Sequence, residues 1–166
     1  VGELSGIRWS DIDFNKKILH IRRTISRVKN IDHTDGKENM SKTILMIGPP
    51  KSSSSIRDIP IPDFLLKKLK LLVCEPDAYL LTGSSLKCME PRNIQRRFRR
   101  LLEQYDIPGI NIHSLRHAFA TRCTEMGFDS KTLSEILGHS SVKITMDIYV
   151  HSSMEQKQKY MDKLYY

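Results

Sequence analysis

The residues best suited to chemistry gather toward the C-terminal end of the chain. They are His113-Ser114-Leu115-Arg116-His117, then Leu137-Gly138-His139, then Tyr149 ten residues later. At helical spacing His113 and Arg116 are neighbours on one turn. An arginine there can bind two phosphoryl oxygens through its planar fork, and it keeps its charge. Tyr149 supplies a phenol able to attack phosphorus. A free phenol has a pKa near ~10, so only about one in a thousand is ionised at neutral pH. Such a nucleophile needs a base or a cationic field beside it. The set suits reaction at a phosphodiester. Singly, each residue also has a plainer reading. Arg116 could sit in a structural salt bridge, His139 could answer a helix dipole, and Asp147-Ile148-Tyr149-Val150 could hold a core tyrosine. Order and spacing together raise the signal above that.

His113 and His117 also stand at i, i+4, as metal ligands can. Ser114 occupies the position where a zinc protease needs Glu, and no third ligand lies nearby, so no metal is expected. His117 is expected to pack or bond locally.

Several elements must position these groups. Gly2 to Ile7 reads as the end of a helix, with Trp9 as an anchor below it. Lys17–Ser26, Thr43–Ile47 and Ile56–Ile61 read as strands of one small antiparallel sheet. A polar loop, Asn30–Lys42, and a flexible Ser-rich tip, Lys51–Ser55, connect them. Pro62–Cys74 reads as a helix with Phe64, Leu65, Leu69 and Leu72 as its apolar face. Tyr79–Leu81 is a short extended piece. Pro91–Gln104 is a basic helix carrying Arg92, Arg96, Arg97, Arg99 and Arg100. Helices are also expected over Ser114–Met126, over Thr132–Leu137 with Ser130 as its cap, over Val142–Ile148, and over Met154–Leu164. The fold class is α+β, mostly α-helical, with a small three-stranded antiparallel sheet on a helical bundle.

The length of 166 residues suffices for one domain with a real core. Lys and Arg total 27 against 19 acids, a formal net charge of +8. That surplus favours a polyanionic partner, although a basic soluble domain would look the same by charge alone. Cys74, Cys88 and Cys123 are widely spaced without a C-x-x-C pair, which argues against a zinc site or disulfide framework and fits a reducing cytoplasm. No apolar run is long enough to span a membrane. The chain starts at Val, so it is expected to be a piece of a longer protein.

The pattern H-x-L-R-H, L-G-H and a downstream Tyr resembles the tyrosine recombinases, the phage integrase family. The resemblance covers essentially the whole chain and includes Val1-Gly2-Glu3-Leu4, Trp9 and Asp11-Ile12-Asp13 at the front. It implies the DNA breaking–rejoining catalytic domain over 1–166, with 153–166 as a tail helix that docks on a neighbouring subunit. It implies that Arg116 is the second catalytic arginine, that His113 contacts the scissile phosphate or assists proton movement, and that His139 bonds a non-bridging oxygen. Tyr149 is the implied nucleophile, and Glu3 matches a supporting acidic position. Gly48-Pro49-Pro50-Lys51 and Ser55-Ile56-Arg57-Asp58-Ile59-Pro60 resemble the family's β-hairpin, whose lysine protonates the leaving 5′ oxygen. Lys51 takes that place, with Lys42 as its rival. This hairpin looks most like integrases of Gram-positive mobile elements. The family's first catalytic arginine normally comes just before the segment matching Val1–Leu4. It is therefore expected ahead of Val1, as is a core-binding domain, and the chain alone is expected to be inactive or weak.

The implied reaction is site-specific recombination through a 3′-phosphotyrosine, without ATP, metal or other cofactor. Implied partners are double-stranded DNA, further copies of the protein in a tetramer on synapsed DNA, and an excisionase or host DNA-bending proteins, in a cytoplasmic, nucleoid-associated setting with no membrane. The arginines of Pro91–Gln104 would add phosphate contacts. Two other readings stay open: a helix-turn-helix regulator without chemistry, and a type IB topoisomerase.

Overall fold

The computed structural model describes residues 1–30, 42–50, 52–149 and 154–164. Helix α1 (Gly2–Gly6) runs into a 3-10 turn at Trp9–Asp11. Strands β1 (Ile12–Asp13), β2 (Ile18–Ile21) and β5 (Arg57–Pro60) form an antiparallel three-stranded sheet in that order. Strands β3 (Thr24–Lys29) and β4 (Thr43–Gly48) form a separate hairpin ladder. The helices α2 (Asp63–Lys70), α3 (Pro91–Gln104), α4 (Ile112–Glu125), α5 (Ser130–Leu137), α6 (Val142–Tyr149) and α7 (Met154–Asp162) follow.

The strand expected over 17–26 is thus two strands in two sheets. The division falls at Arg22-Arg23, whose side chains turn to different partners. Arg22 donates to Asp58 Oδ1 at 2.6 Å, beside β5. Arg23 donates to Asp11 Oδ2 at 2.5 Å and to the carbonyl of Gly6 at 3.2 Å. The three-stranded sheet is completed by β1 rather than by the Thr43 strand, which pairs with β3. Register places Ile21 opposite Arg57 and Leu19 opposite Ile59. This pairing fixes where Arg57 stands.

Two apolar clusters carry the packing. Trp9, Ile12, Ile61, Leu66 and Ala78 form one, beneath the sheet and α2. Ala120, Cys123, Leu133 and Leu137 form the other, between α4 and α5, with Tyr149 packed against it. Helix α2 ends at Lys70, and Leu72 and Phe64 are exposed, so the inward positions are Leu66 and Leu69 rather than the four expected. Pro91 starts α3, where its missing N–H costs nothing, and Ile94 is its buried residue. The Ser-rich tip is more ordered than expected: Ser53–Ser55 make a 3-10 turn, and the Ser52 hydroxyl bonds those of Ser54 and Ser55. Among the described residues no helix is long and apolar enough to cross a membrane.

Candidate active site

Helix α4 begins two residues earlier than expected because Asn111 caps it. Its Oδ1 accepts from the backbone N–H groups of His113 (2.8 Å) and Ser114 (3.2 Å). Such a cap satisfies donors that the first turn leaves unpaired. His113 therefore lies in the first turn, and Arg116 comes one turn later. For α5 the capping side chain is Asp129, which accepts from Thr132 N–H at 2.9 Å, rather than the expected Ser130.

The other end of α5 organises the site. Gly138 adopts φ +70°, the left-handed conformation that lets a helix stop. Its N–H reaches Glu135 O, and the N–H of His139 reaches Ser134 O, each at 3.1 Å. Two terminal carbonyls remain, and each receives an arginine. Arg57 Nε donates to Ile136 O at 2.7 Å, and Arg116 donates to Leu137 O at 2.5 Å. The negative end of a helix dipole favours both cations. The Leu137-Gly138-His139 tripeptide is thereby a stop whose last carbonyls are held by two guanidinium groups from distant segments.

Arg57 also grips Glu3 with both terminal nitrogens, at 2.8 and 2.9 Å, a bidentate pair with fixed geometry. Its side chain is only 10% exposed. It ties β5, α1 and α5 together, and the sequence reading did not single it out. The only signal was its place in the hairpin motif, because its partners lie at residues 3 and 136.

Glu3, Arg57, His113 and Arg116 line one open cleft of ≈ 520 Å³, walled by Leu115, Phe119 and Leu137. Burial, and then the neighbouring Arg57, press the Arg116 guanidinium below its ordinary pKa, while Glu3 and Tyr149 oppose this. An arginine has five N–H donors, so the bond to Leu137 leaves others for an anion in the cleft.

His139 and Tyr149 stand beside this cleft rather than on its lining. His139 Nδ1 is 2.8 Å from Oγ1 of the fully buried Thr145. Its ring lies nearly parallel to that of Tyr149, with centroids 6.5 Å apart. Burial chiefly, then Arg116 and Arg57, lower the His139 pKa and so favour the neutral imidazole. The Tyr149 phenol lies 3.0 Å from His117 Nδ1. His117 was expected to bond locally; it instead meets the tyrosine across from α6. No sequence signal foretold that pairing, since the partners are 32 residues apart.

Lys51 lies outside the described residues, as do most of the polar loop after Asn30 and the final residues Tyr165 and Tyr166. The basic helix is less unified than its sequence. Arg96, Arg97 and Arg100 line one recess with Lys87 and Cys88. Arg92 lines a second, and Arg99 shares a third with His113.

The model of the phage integrase family matches residues 1–156. A XerC-like tyrosine recombinase of Caldanaerobacter subterraneus is 34% identical, with 98% of this chain and 45% of the relative covered. The transposase of transposon Tn916 from Enterococcus faecalis is 23% identical over 99% of this chain and 42% of its own length. The chain therefore spans under half the length of these relatives. Among solved structures, the Tn1549 transposon integrase in complex with circular intermediate DNA superimposes with a TM-score of 0.74 at 21% identity, covering 99% of this chain and 55% of that one. XerA recombinase gives 0.61 at 24% identity, with 99% and 53% covered. The order of site residues, the arginine-held end of α5, the shared fold and the family match converge: the chain belongs to the phage integrase family.

Proposed function

We propose that this chain is the catalytic domain of a site-specific DNA recombinase that cuts and rejoins strands through a 3′-phosphotyrosine at Tyr149. The observation that carries the reading is the meeting of Arg116, His139 and Tyr149 around the C-terminal end of α5, with His113 and Glu3 in the adjoining cleft. XerC-like recombinases and the Tn916 transposase are named for such roles, and the Tn1549 integrase was solved with DNA.

In this mechanism the scissile phosphate occupies the cleft beside Arg116. Tyr149 attacks phosphorus, and the 5′ oxygen leaves with a proton from Lys51. Arg116, His113 and His139 stabilise the charge that develops on the non-bridging oxygens, donors of a kind that typically contribute ~10²–10³ in rate each. A 5′-hydroxyl from a partner strand then reverses the attack. The phosphodiester energy is kept in the enzyme–DNA bond, so the scheme uses no ATP, metal or other cofactor. The partners are double-stranded DNA, other copies in a tetramer on synapsed DNA, and excisionase or DNA-bending accessory proteins, in the cytoplasm at the nucleoid. Exposed Met154, Met161 and Leu164 on and after α7 suit docking on a neighbouring subunit.

Covalent trapping tests this. The full-length protein is mixed with nicked duplexes of varied sequence, and SDS-resistant adducts are mapped by mass spectrometry. The expected result is an adduct on Tyr149 that is absent in Tyr149→Phe. Salt-sensitive, reversible binding without any adduct would instead indicate a DNA-binding protein without chemistry. Relaxation of supercoiled plasmid without recombinants would indicate a topoisomerase.

A further inference from the structure

Phosphorus is attacked by a phenolate, or by a phenol losing its proton in the same step, and at neutral pH a free phenol is almost wholly protonated. The proton of Tyr149 therefore needs an acceptor. Three other groups of the site are poorly placed for that task. Arg116 is permanently charged and has no acceptor atom. His139 faces the tyrosine ring in parallel, and its Nδ1 is engaged with Thr145. His113 lies a helical turn before His117 and lines the cleft with Glu3 and Arg116.

His117 differs from all three. Its Nδ1 is 3.0 Å from the phenolic oxygen, within the range for direct proton transfer. The two rings are 5.7 Å apart and inclined by 50°, so the contact is made through the heteroatoms rather than by stacking. His117 is exposed, so a proton taken on Nδ1 can be passed to water from Nε2. Among the described residues, Arg116 on the same helix is close enough to Tyr149 for the two to interact electrostatically, and the His139 ring faces it from beyond α5.

We infer that His117 is the general base that accepts the Tyr149 proton during strand cleavage. The inference rests on the recombinase reading above. In the step, the phenolic O–H bond breaks and an N–H bond forms at Nδ1. The tyrosine oxygen bonds to phosphorus, and the P–O5′ bond breaks. The leaving oxygen takes its proton from a general acid, Lys51 in the proposed scheme. On rejoining the same proton returns from His117 to the phenol.

The test separates nucleophile activation from leaving-group protonation. The full-length protein is given a duplex selected by the trapping experiment, with sulfur replacing the bridging 5′ oxygen at the cleaved position. A thiolate leaves without an acid, so the rate reports on the nucleophile alone. His117→Gln keeps a polar group but cannot take up a proton. Adduct formation is expected to fall by about 10²-fold or more. Difluorotyrosine at position 149, a more acidic phenol, is expected to restore most of that loss. A purely structural role for His117 would leave the loss unchanged by the fluorines. A His117→Gln rate within about threefold of wild type would overturn the inference while leaving the recombinase reading intact. No adduct with the unaltered protein would overturn both. A second measurement guards against misfolding. In the DNA-free protein the ¹⁵N resonance of His117 Nδ1 is expected to move in Tyr149→Phe, and an unmoved resonance counts against the pairing.

Discussion

The arginines beneath the cleft and those of α3 are the same residue type used in opposite ways. Arg57 and Arg116 are each bonded to a carbonyl at the end of α5, and Arg57 is nearly enclosed by its pairing with Glu3. Arg92, Arg96, Arg97, Arg99 and Arg100 are all exposed along one helix and divide among separate recesses. The first pair has its geometry set by the fold and can present a charge at a chosen point. The second group has freedom and water around it, which suits a diffuse attraction to phosphate that salt weakens. Density of charge along the sequence marks the second kind; enclosure by the fold marks the first.

The comparison can be broken most sharply at Arg57. Arg57→Ala strands Glu3 and leaves the Ile136 carbonyl without its donor. Removing one partner of an enclosed ion pair costs several kcal/mol, and the partial exposure of Glu3 at 31% reduces this to about 2–3 kcal/mol here. Thermal unfolding is expected to show a fall of roughly 6–10 °C. A gentler disturbance of the same junction is Gly138→Ala. A Cβ there would stand 2.9–3.1 Å from atoms of the Arg57 side chain, on a backbone at φ +70°. The expected loss is about 2 kcal/mol in urea unfolding, against about 1 kcal/mol for Gly127→Ala, where the φ is also positive but the space is open. Smallest in stability is the joint change of Arg96, Arg97 and Arg100 to Gln. Each is expected to shift stability by no more than about 0.5 kcal/mol. The slope of log affinity for DNA against log salt should become shallower by about one for each arginine that meets a phosphate. A large loss of stability here would erase the distinction between the two groups.

Much of this arrangement was legible in the sequence, and the limits have physical causes. Helix α3 runs over the residues its periodicity indicates, because Pro91 and the apolar spacing are local signals. The order of His113, Arg116, His139 and Tyr149 was visible, as was the stop at Gly138. Asp129 and Ser130 are both good caps, so sequence alone could not choose between them. The division of one strand into two at Arg22-Arg23 depends on Asp58 and Asp11, which no local pattern connects. Arg57 escaped for the same reason: its partners come from both ends of the chain. His117 looked like a residue for local packing because what gives it a task is a phenol on another helix. Local chemistry was readable; pairings across long separations were not.

The Arg57 junction also bears on how genes of this kind can be mixed. Glu3, Arg57 and the Ile136–Gly138 turn are far apart along the chain yet form one interlocking contact. In a chimaera of two relatives, a crossover between residues 57 and 136 brings the arginine from one parent and its socket from the other. Such hybrids work only where both parents share the glycine and the depth of the socket. Crossovers placed after Gly138 leave this contact intact but divide Tyr149 from His117, so the two parents must then match at that pair instead.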